Sequence, residues 1–313
     1  PEETRQAMVR GHAIVPKYGK RVTDVLKGML RPALVPAPEH LFIVSDWSAI
    51  EGRVHPWLSN CPAGETKLDV FRSGLDPYIV NAAATFHRSY EEIHADHEAG
   101  KSDQRQIGKV QELALGFLGG PGAFETFGRI YGVRVTEADA QRMVMAWRRA
   151  NPWAMYHGQQ LESAYTRAMR HKGHEFSAGR VHYMFDGQHL WYALPSGRIL
   201  CYPYAKLDSD GVTYAKASWK PAADAKEWPR ARLWKGLACE NITQATANDV
   251  LRYALRSLDN VVLHVHDEIV LEVPQSEADA AVERLRAVMC TPPSWAVGLP
   301  LDVEIKVMKR YGK

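Results

Sequence analysis

The chain has 313 residues, a net charge of +3 and 24% charged side chains, enough for two or more subdomains around a substantial core. It has no apolar stretch able to span a bilayer and no signal-peptide pattern, and its four cysteines form no C-x-x-C pair, which argues against a disulfide framework or a cysteine zinc site. A cytoplasmic protein with reduced thiols is expected, and the slight basic excess suits a nucleic-acid partner without requiring one.

The chain opens on Pro1-Glu2-Glu3 rather than Met, as a piece cut from something longer would. Its first forty residues carry Arg5, Arg10, Lys17, Lys20, Arg21, Lys27 and Arg31 against Glu2, Glu3, Asp24 and Glu39. This basic lead-in fits a phosphate backbone and a solvated surface equally well. Pro32, Pro36 and Pro38 then break the chain before Leu41-Phe42-Ile43-Val44, whose β-branched and apolar run predicts a buried strand. From Glu51 to about Arg170 the apolar spacing is helical. Asp76-Pro77-Tyr78 predicts a helix start with Pro in its first position, and Thr136-Glu137-Ala138-Asp139 opens a helix running through Trp147. Asn151-Pro152 closes that helix before another. Between Phe176 and Tyr204, aromatic runs broken by Asp186-Gly187 and Pro195-Ser196-Gly197 predict hairpins. The polar segment from Lys206 to Arg232 reads as a surface excursion, followed by a helix from about Thr243 to Leu258. Val261-Val262-Leu263-His264-Val265 predicts a second buried strand, then a helix and a terminal strand around Asp302-Val303-Glu304. No internal repeat is present.

Each predicted buried strand delivers a carboxylate, Asp46 and Asp267, to its end. If the two strands are neighbours, these groups converge into a site for hard divalent cations such as Mg²⁺. Taken singly, each Asp reads better as a strand-ending or turn-capping residue, and it is the pairing that points to a metal site. Between them Arg105, Lys109, Leu113 and Phe117 recur at every fourth position, a slowly turning helical stripe with a rise of roughly 6 Å per member. It is cationic at one end and apolar or aromatic at the other, the polarity of a nucleoside triphosphate. An amphipathic helix with one end in water has the same pattern. Gly119-Gly120-Pro121-Gly122 lacks the Gly-Lys-Ser/Thr ending of a phosphate loop and predicts a helix terminator and turn. His87, His94 and His97 with Asp96 fit no standard metal spacing, and His171 and His174 beside Lys172 form an exposed basic turn.

These residues carry a family resemblance. Asp46-Trp47-Ser48-Ala49-Ile50-Glu51-Gly52-Arg53 resembles motif A of the DNA polymerase I family (family A DNA polymerases). Arg105 to Phe117 is similar to motif B, and Val265-His266-Asp267-Glu268 to motif C. Glu112-Leu113-Ala114-Leu115-Gly116-Phe117 and Cys239-Glu240-Asn241-Ile242-Thr243-Gln244-Ala245 point to its bacteriophage and prophage branch. The likeness runs from about Arg21 to the C-terminus.

The resemblance implies an α+β fold: a right-hand polymerase palm on an antiparallel sheet, a helical fingers subdomain, and a thumb reduced or absent. Residues 1–60 would hold the lead-in and the first part of the palm, 61–170 the fingers, and 171–313 the rest of the palm with the motif C hairpin. The activity implied is template-directed addition of deoxyribonucleotides to a primer 3′-hydroxyl in a bacterial or phage-infected cell, with primer-template DNA, deoxynucleoside triphosphates and accessory replication proteins as partners. Asp46, Asp267 and the Trp47 carbonyl would bind two Mg²⁺ ions, with Glu268 assisting. Arg105 and Lys109 would hold the triphosphate, Lys109 would protonate the leaving group, and Leu113, Phe117 and Tyr78 would line the nucleotide site. Glu51 would be a steric gate against a 2′-hydroxyl, His266 would lie near the primer terminus, and Gln244 and Arg53 would contact the duplex.

Four departures qualify the match. Ala49 replaces a Gln, Leu113 a Phe or Tyr, and Tyr78 a phosphate-binding His. Phe117 replaces a Tyr, so Glu51 is expected to be held less firmly. Asp302-Val303-Glu304 lacks the companions of an exonuclease pair, so no proofreading activity is expected. A two-metal nuclease and a non-catalytic DNA-binding remnant stand as alternatives.

Overall fold

The computed structural model describes Gln6, residues 18–216 and residues 228–312. In chain order, helix α1 (Val22–Leu30) leads to strand β1 (His40–Trp47) and helices α2 (Ile50–Ser59), α3 (Pro62–Arg72), α4 (Pro77–Phe86), α5 (Tyr90–Glu98) and α6 (Gln104–Leu115). Helices α7 (Pro121–Ile130), α8 (Glu137–Ala150) and α9 (Pro152–Arg170) complete the helical run. Strands β2 (Glu175–Ala178), β3 (Val181–Phe185), β4 (Leu190–Ala193), β5 (Ile199–Tyr202), β6 (Lys206–Asp208), β7 (Gly211–Ala215) and β8 (Arg230–Arg232) follow. The last elements are α10 (Lys235–Arg256), β9 (Val261–Val265), β10 (Glu268–Pro274), α11 (Ala278–Cys290) and β11 (Val303–Met308). Among the described residues, no helix is long and apolar enough to cross a membrane.

These elements form two compact bodies. The first comprises residues up to Ser48, Leu251–Thr291 and the chain from Leu301; the second comprises Ala49–Val250 and Pro292–Pro300. The first is built on an antiparallel sheet of order β11-β1-β10-β9. Its central strand β1 is apolar almost throughout because both faces are covered. One face carries Ile43, Ile269 and Leu271 and is covered by α11, where the Trp47 indole donates to the Met289 carbonyl at 2.9 Å. On the other face, Phe42, Val44 and Val270 pack with Tyr311, Leu263 and Met308. The two predicted strands are therefore not neighbours, since β10 runs between β1 and β9. Nor is β9 buried: it is an edge strand with Val262 52% exposed.

In the second body the start signals work as read. Asp76 caps α4 through the backbone N–H groups of Tyr78 and Ile79, Thr136 caps α8, and Pro77 and Pro152 stand in first turns. Ser89 and Glu92 add a reciprocal capping box to α5. The glycine run begins a helix rather than ending one: α6 stops at Leu115 with Gly116 as its C-cap, and Gly120 is the N-cap of α7 with Pro121 in its first turn. Strands β2 to β5 form an antiparallel meander whose Asp186-Gly187 and Pro195-Ser196-Gly197 turns are those predicted. Asp186 accepts backbone N–H bonds from Gln188 and His189, which hold its carboxyl down at about 2, together with a bond from the Trp191 indole. The segment from Lys206 to Arg232 departs from expectation. Its described part forms a three-stranded sheet, β6-β7-β8, while residues 217–227 lie outside the described ones. Helix α10 begins at Lys235, about two turns before the predicted start.

Candidate active site

In the first body, the register decides which acidic residues meet. Asp46 on β1 pairs with Glu268 on β10 and with Glu304 on β11, so three carboxylate residues stand in one row on one sheet face. Asp267 comes one residue before Glu268, in a two-residue turn with His266 at φ 56°. The sequence around Glu304 gives it no place at the site; only the pairing of β11 reveals its position beside Asp46.

The row does not act as one cluster, because its outer members are engaged elsewhere. Glu268, 4% exposed, accepts a hydrogen bond from the Tyr311 hydroxyl and lies 3.8 Å from the Arg31 guanidinium, which also sits over the Tyr311 ring. Glu304 pairs with Lys306 at 2.9 Å. Burial, with the neighbouring Glu268, pushes the Tyr311 hydroxyl up to about 12. Glu268, expected to assist at the metal, contacts Tyr311 and Arg31 in this structure. No group of three or more His, Cys, Asp and Glu side chains able to hold a metal occurs among the described residues. Asp46 and Asp267 still fit Mg²⁺, which needs only one or two protein carboxylates and completes its shell with water and phosphate oxygens. The histidines at 87, 94 and 97 form no such group either; Asp96 pairs with Arg88 at 2.7 Å.

In the second body, α6 presents Arg105, Lys109 and Leu113 half-exposed, whereas Gly108, Val110, Gln111, Glu112, Ala114 and Leu115 are buried. Phe117, the fourth member of the stripe, is also half-exposed but lies beyond the helix, in the turn after Leu115. Arg105 donates to Asp76 at 2.7 Å and lies 5.2 Å from the centre of the Tyr78 ring. Burial, with the negative charges of Glu112 and Asp76, pushes the Tyr78 hydroxyl up to about 12. Asp76 therefore has two roles, capping α4 with one oxygen and holding Arg105 with the other. The Lys109 ammonium stands 5.0 Å from the centre of the Tyr131 ring.

Glu51, in the first turn of α2, accepts a hydrogen bond from Gln244 on α10. Burial raises the pKa of this carboxyl, Gln244 opposes the shift, and the charge of Glu240 adds to it. Gln244 thus supplies a partner that the Tyr-to-Phe departure had led us to expect missing. Arg53 is a correction: it is 5% exposed, with its guanidinium 4.4 Å from the Phe71 ring centre and a bond to the Pro300 carbonyl, so it offers no open surface to a duplex. Of the basic lead-in, Lys20, Arg21 and Lys27 are exposed, Arg31 faces Glu268, and Arg5, Arg10 and Lys17 lie outside the described residues.

The chain is 35% identical over its whole length to the DNA polymerase of Bacillus phage SP02, of which it covers 47%. With relatives that are DNA polymerases, the chain resembles the DNA polymerase I family. A bacterial relative, DNA polymerase I of Pseudomonas aeruginosa, is 25% identical over 89% of the chain, which spans 25% of that relative. The chain thus covers half or less of these curated relatives. The fold is that of a polymerase domain: the POL domain of Pol1 from M. smegmatis, solved in complex with DNA primer-template and dNTP, matches 90% of the chain and 42% of its own length with a TM-score of 0.60 at 15% identity. No protein-family model matches the chain.

Proposed function

We propose that this chain is the nucleotidyl-transfer portion of a template-directed DNA polymerase that adds deoxyribonucleotides to a primer 3′-hydroxyl. One observation carries the reading: Asp46 of the first acidic motif stands in register with Glu268 of the last, one residue from Asp267, in a chain whose relatives are DNA polymerases.

In this reading Asp46, Asp267 and the Trp47 carbonyl hold two Mg²⁺ ions. When bound, the metal supplies a more acidic primer hydroxyl and neutralises charge on the departing pyrophosphate. Arg105 and Lys109 grip the triphosphate, and the Lys109 ammonium gives its proton to the leaving group. Tyr78 adds a hydrogen-bond donor without charge, and Leu113 and Phe117 offer apolar surface to sugar and base. Glu51 occupies the space a ribose 2′-hydroxyl would need, and Gln244 holds it there. His266 meets the primer end. The first body and the hairpins correspond to the palm, and the helices from α3 to α9 to the fingers. The thumb is reduced or supplied by another part of the polymerase or by a partner, and no step uses a proofreading site. The work takes place in a bacterial or phage-infected cell, a reading supported by relatives of phage and bacterial origin.

Primer extension with this chain, Mg²⁺ and four deoxynucleoside triphosphates is the test. Templated extension by the unaltered chain and none by Asp46→Ala or Asp267→Ala is expected. Extension by both variants, or nucleotide-independent cleavage of DNA by the unaltered chain, would overturn the reading.

A further inference from the structure

Behind the half-exposed stripe of α6 lies a buried polar network, and its centre is Glu112. This carboxylate is 9% exposed and accepts from the Lys67 ammonium of α3 at 3.0 Å and from the Asn81 amide of α4 at 2.6 Å. Lys67 is 6% and Asn81 3% exposed. The Asn81 amide also reaches the Gly108 carbonyl, one turn back along α6, at 3.4 Å. Two close approaches complete the cradle. A Cβ on Gly52 would lie 2.9 Å from the second oxygen of Glu112, and a Cβ on Gly108 would lie 2.0 Å from the Tyr78 carbonyl.

The placement on the helix gives the network its meaning. At about 100° per residue, Arg105, Lys109 and Leu113 cover an arc of roughly 80°, and Glu112 sits about 20° behind Arg105, where the buried face begins. A buried ion pair adds little stability over apolar residues of the same shape, because desolvation consumes most of the attraction. It does have direction, which apolar contact lacks: a carboxylate held by two donors from two other helices fixes the rotation of the helix that carries it.

We infer that Glu112, held by Lys67 and Asn81, is a positioning residue that sets the rotation of α6 and thereby aims Arg105 and Lys109 at the incoming triphosphate. The inference rests on the polymerase reading.

Single-nucleotide incorporation by the full chain tests it, with two altered forms beside the unaltered one. Glu112→Gln keeps the shape and removes the charge; Lys67→Met/Glu112→Leu removes both charges and refills the space. In both, KM for the deoxynucleoside triphosphate should rise about tenfold, while kcat and the dissociation constant for primer-template DNA change far less. The double variant should unfold near the temperature of the unaltered chain. An unaltered KM in a stably folded double variant would overturn the inference, and so would failure of both variants to fold, since the network would then be structural only. If the unaltered chain itself extends no primer, the polymerase reading has failed rather than this inference.

Discussion

The sheet body and the helical body hold their candidate groups in different ways. In the sheet, main-chain hydrogen bonds between β1, β10 and β11 place Asp46 beside Glu268 and Glu304, and no side chain has to be consulted to know which residues are neighbours. A helix satisfies its own main chain and can present any face outward. What makes α6 present Arg105, Lys109 and Leu113 is the polar chemistry buried behind them. Substitution should therefore separate chemistry from architecture in the sheet and couple them in the helices.

The largest effect tests the first half of that comparison. Asp46→Ala or Asp267→Ala should lower incorporation by on the order of a thousandfold, because losing several kcal/mol of charge stabilisation costs tenfold for about every 1.4 kcal/mol. The thermal unfolding temperature should hardly move, since the register does not depend on the side chain. A large loss of stability would break the comparison. In the helices, Lys67→Ala leaves the Glu112 charge buried and unpaired, and should cost about 3–5 kcal/mol in urea unfolding. A cost typical of a surface pair would mean that the network is not dry.

Acid should also strike the helical body. Burial lowers the His55 pKa from 6.5 to about 4, opposed by its bond to the Gly116 carbonyl, and burial with the charge of His55 lowers His157 well below its usual value. Both groups therefore bind protons more weakly folded than unfolded. Their contribution is fully present above pH 6.5 and is lost as pH falls toward 4, about 2 kcal/mol from His55 alone by pH 5. Urea unfolding at pH 7 and pH 5, with and without His55→Phe, checks the sign: the variant should show the smaller acid loss. The smallest effect concerns the gate. Glu51→Ala should raise ribonucleotide over deoxyribonucleotide incorporation by about tenfold, the scale on which a pocket sorts substrates by one small group. Gln244→Ala should produce part of that change, and an unchanged ratio in both would remove the gate.

The parts legible in the sequence were those written locally. Asp76-Pro77, Thr136 and Asn151-Pro152 mark helix ends with their own capping chemistry, and Asp186-Gly187 marks a turn, so these elements could be read without the fold. Asp46 and Asp267 could be named, but their relation could not, because strand order is set by pairings more than two hundred residues apart. Glu112 stayed hidden for a related reason. In Gln111-Glu112-Leu113-Ala114-Leu115 it looks like a charge at the edge of an apolar run, and its partners Lys67 and Asn81 are 45 and 31 residues away. The duplex contact of Arg53 was expected from the resemblance alone, and the motif carries no sign that its cation sits over the Phe71 ring.

The register of β1 with its two neighbours also bears on how the chain can change length. Because strand side chains alternate, adding or deleting one residue between Phe42 and Asp46 would send Asp46 to the face covered by α11 and bring Ser45 or Trp47 into the acidic row. Point changes along β1 cost one contact each, but a single-residue change in its length rewrites both faces of the sheet together. Variation in length should therefore collect at hairpin turns such as Asp186-Gly187-Gln188, leaving β1, β10 and β11 as segments of nearly invariant span.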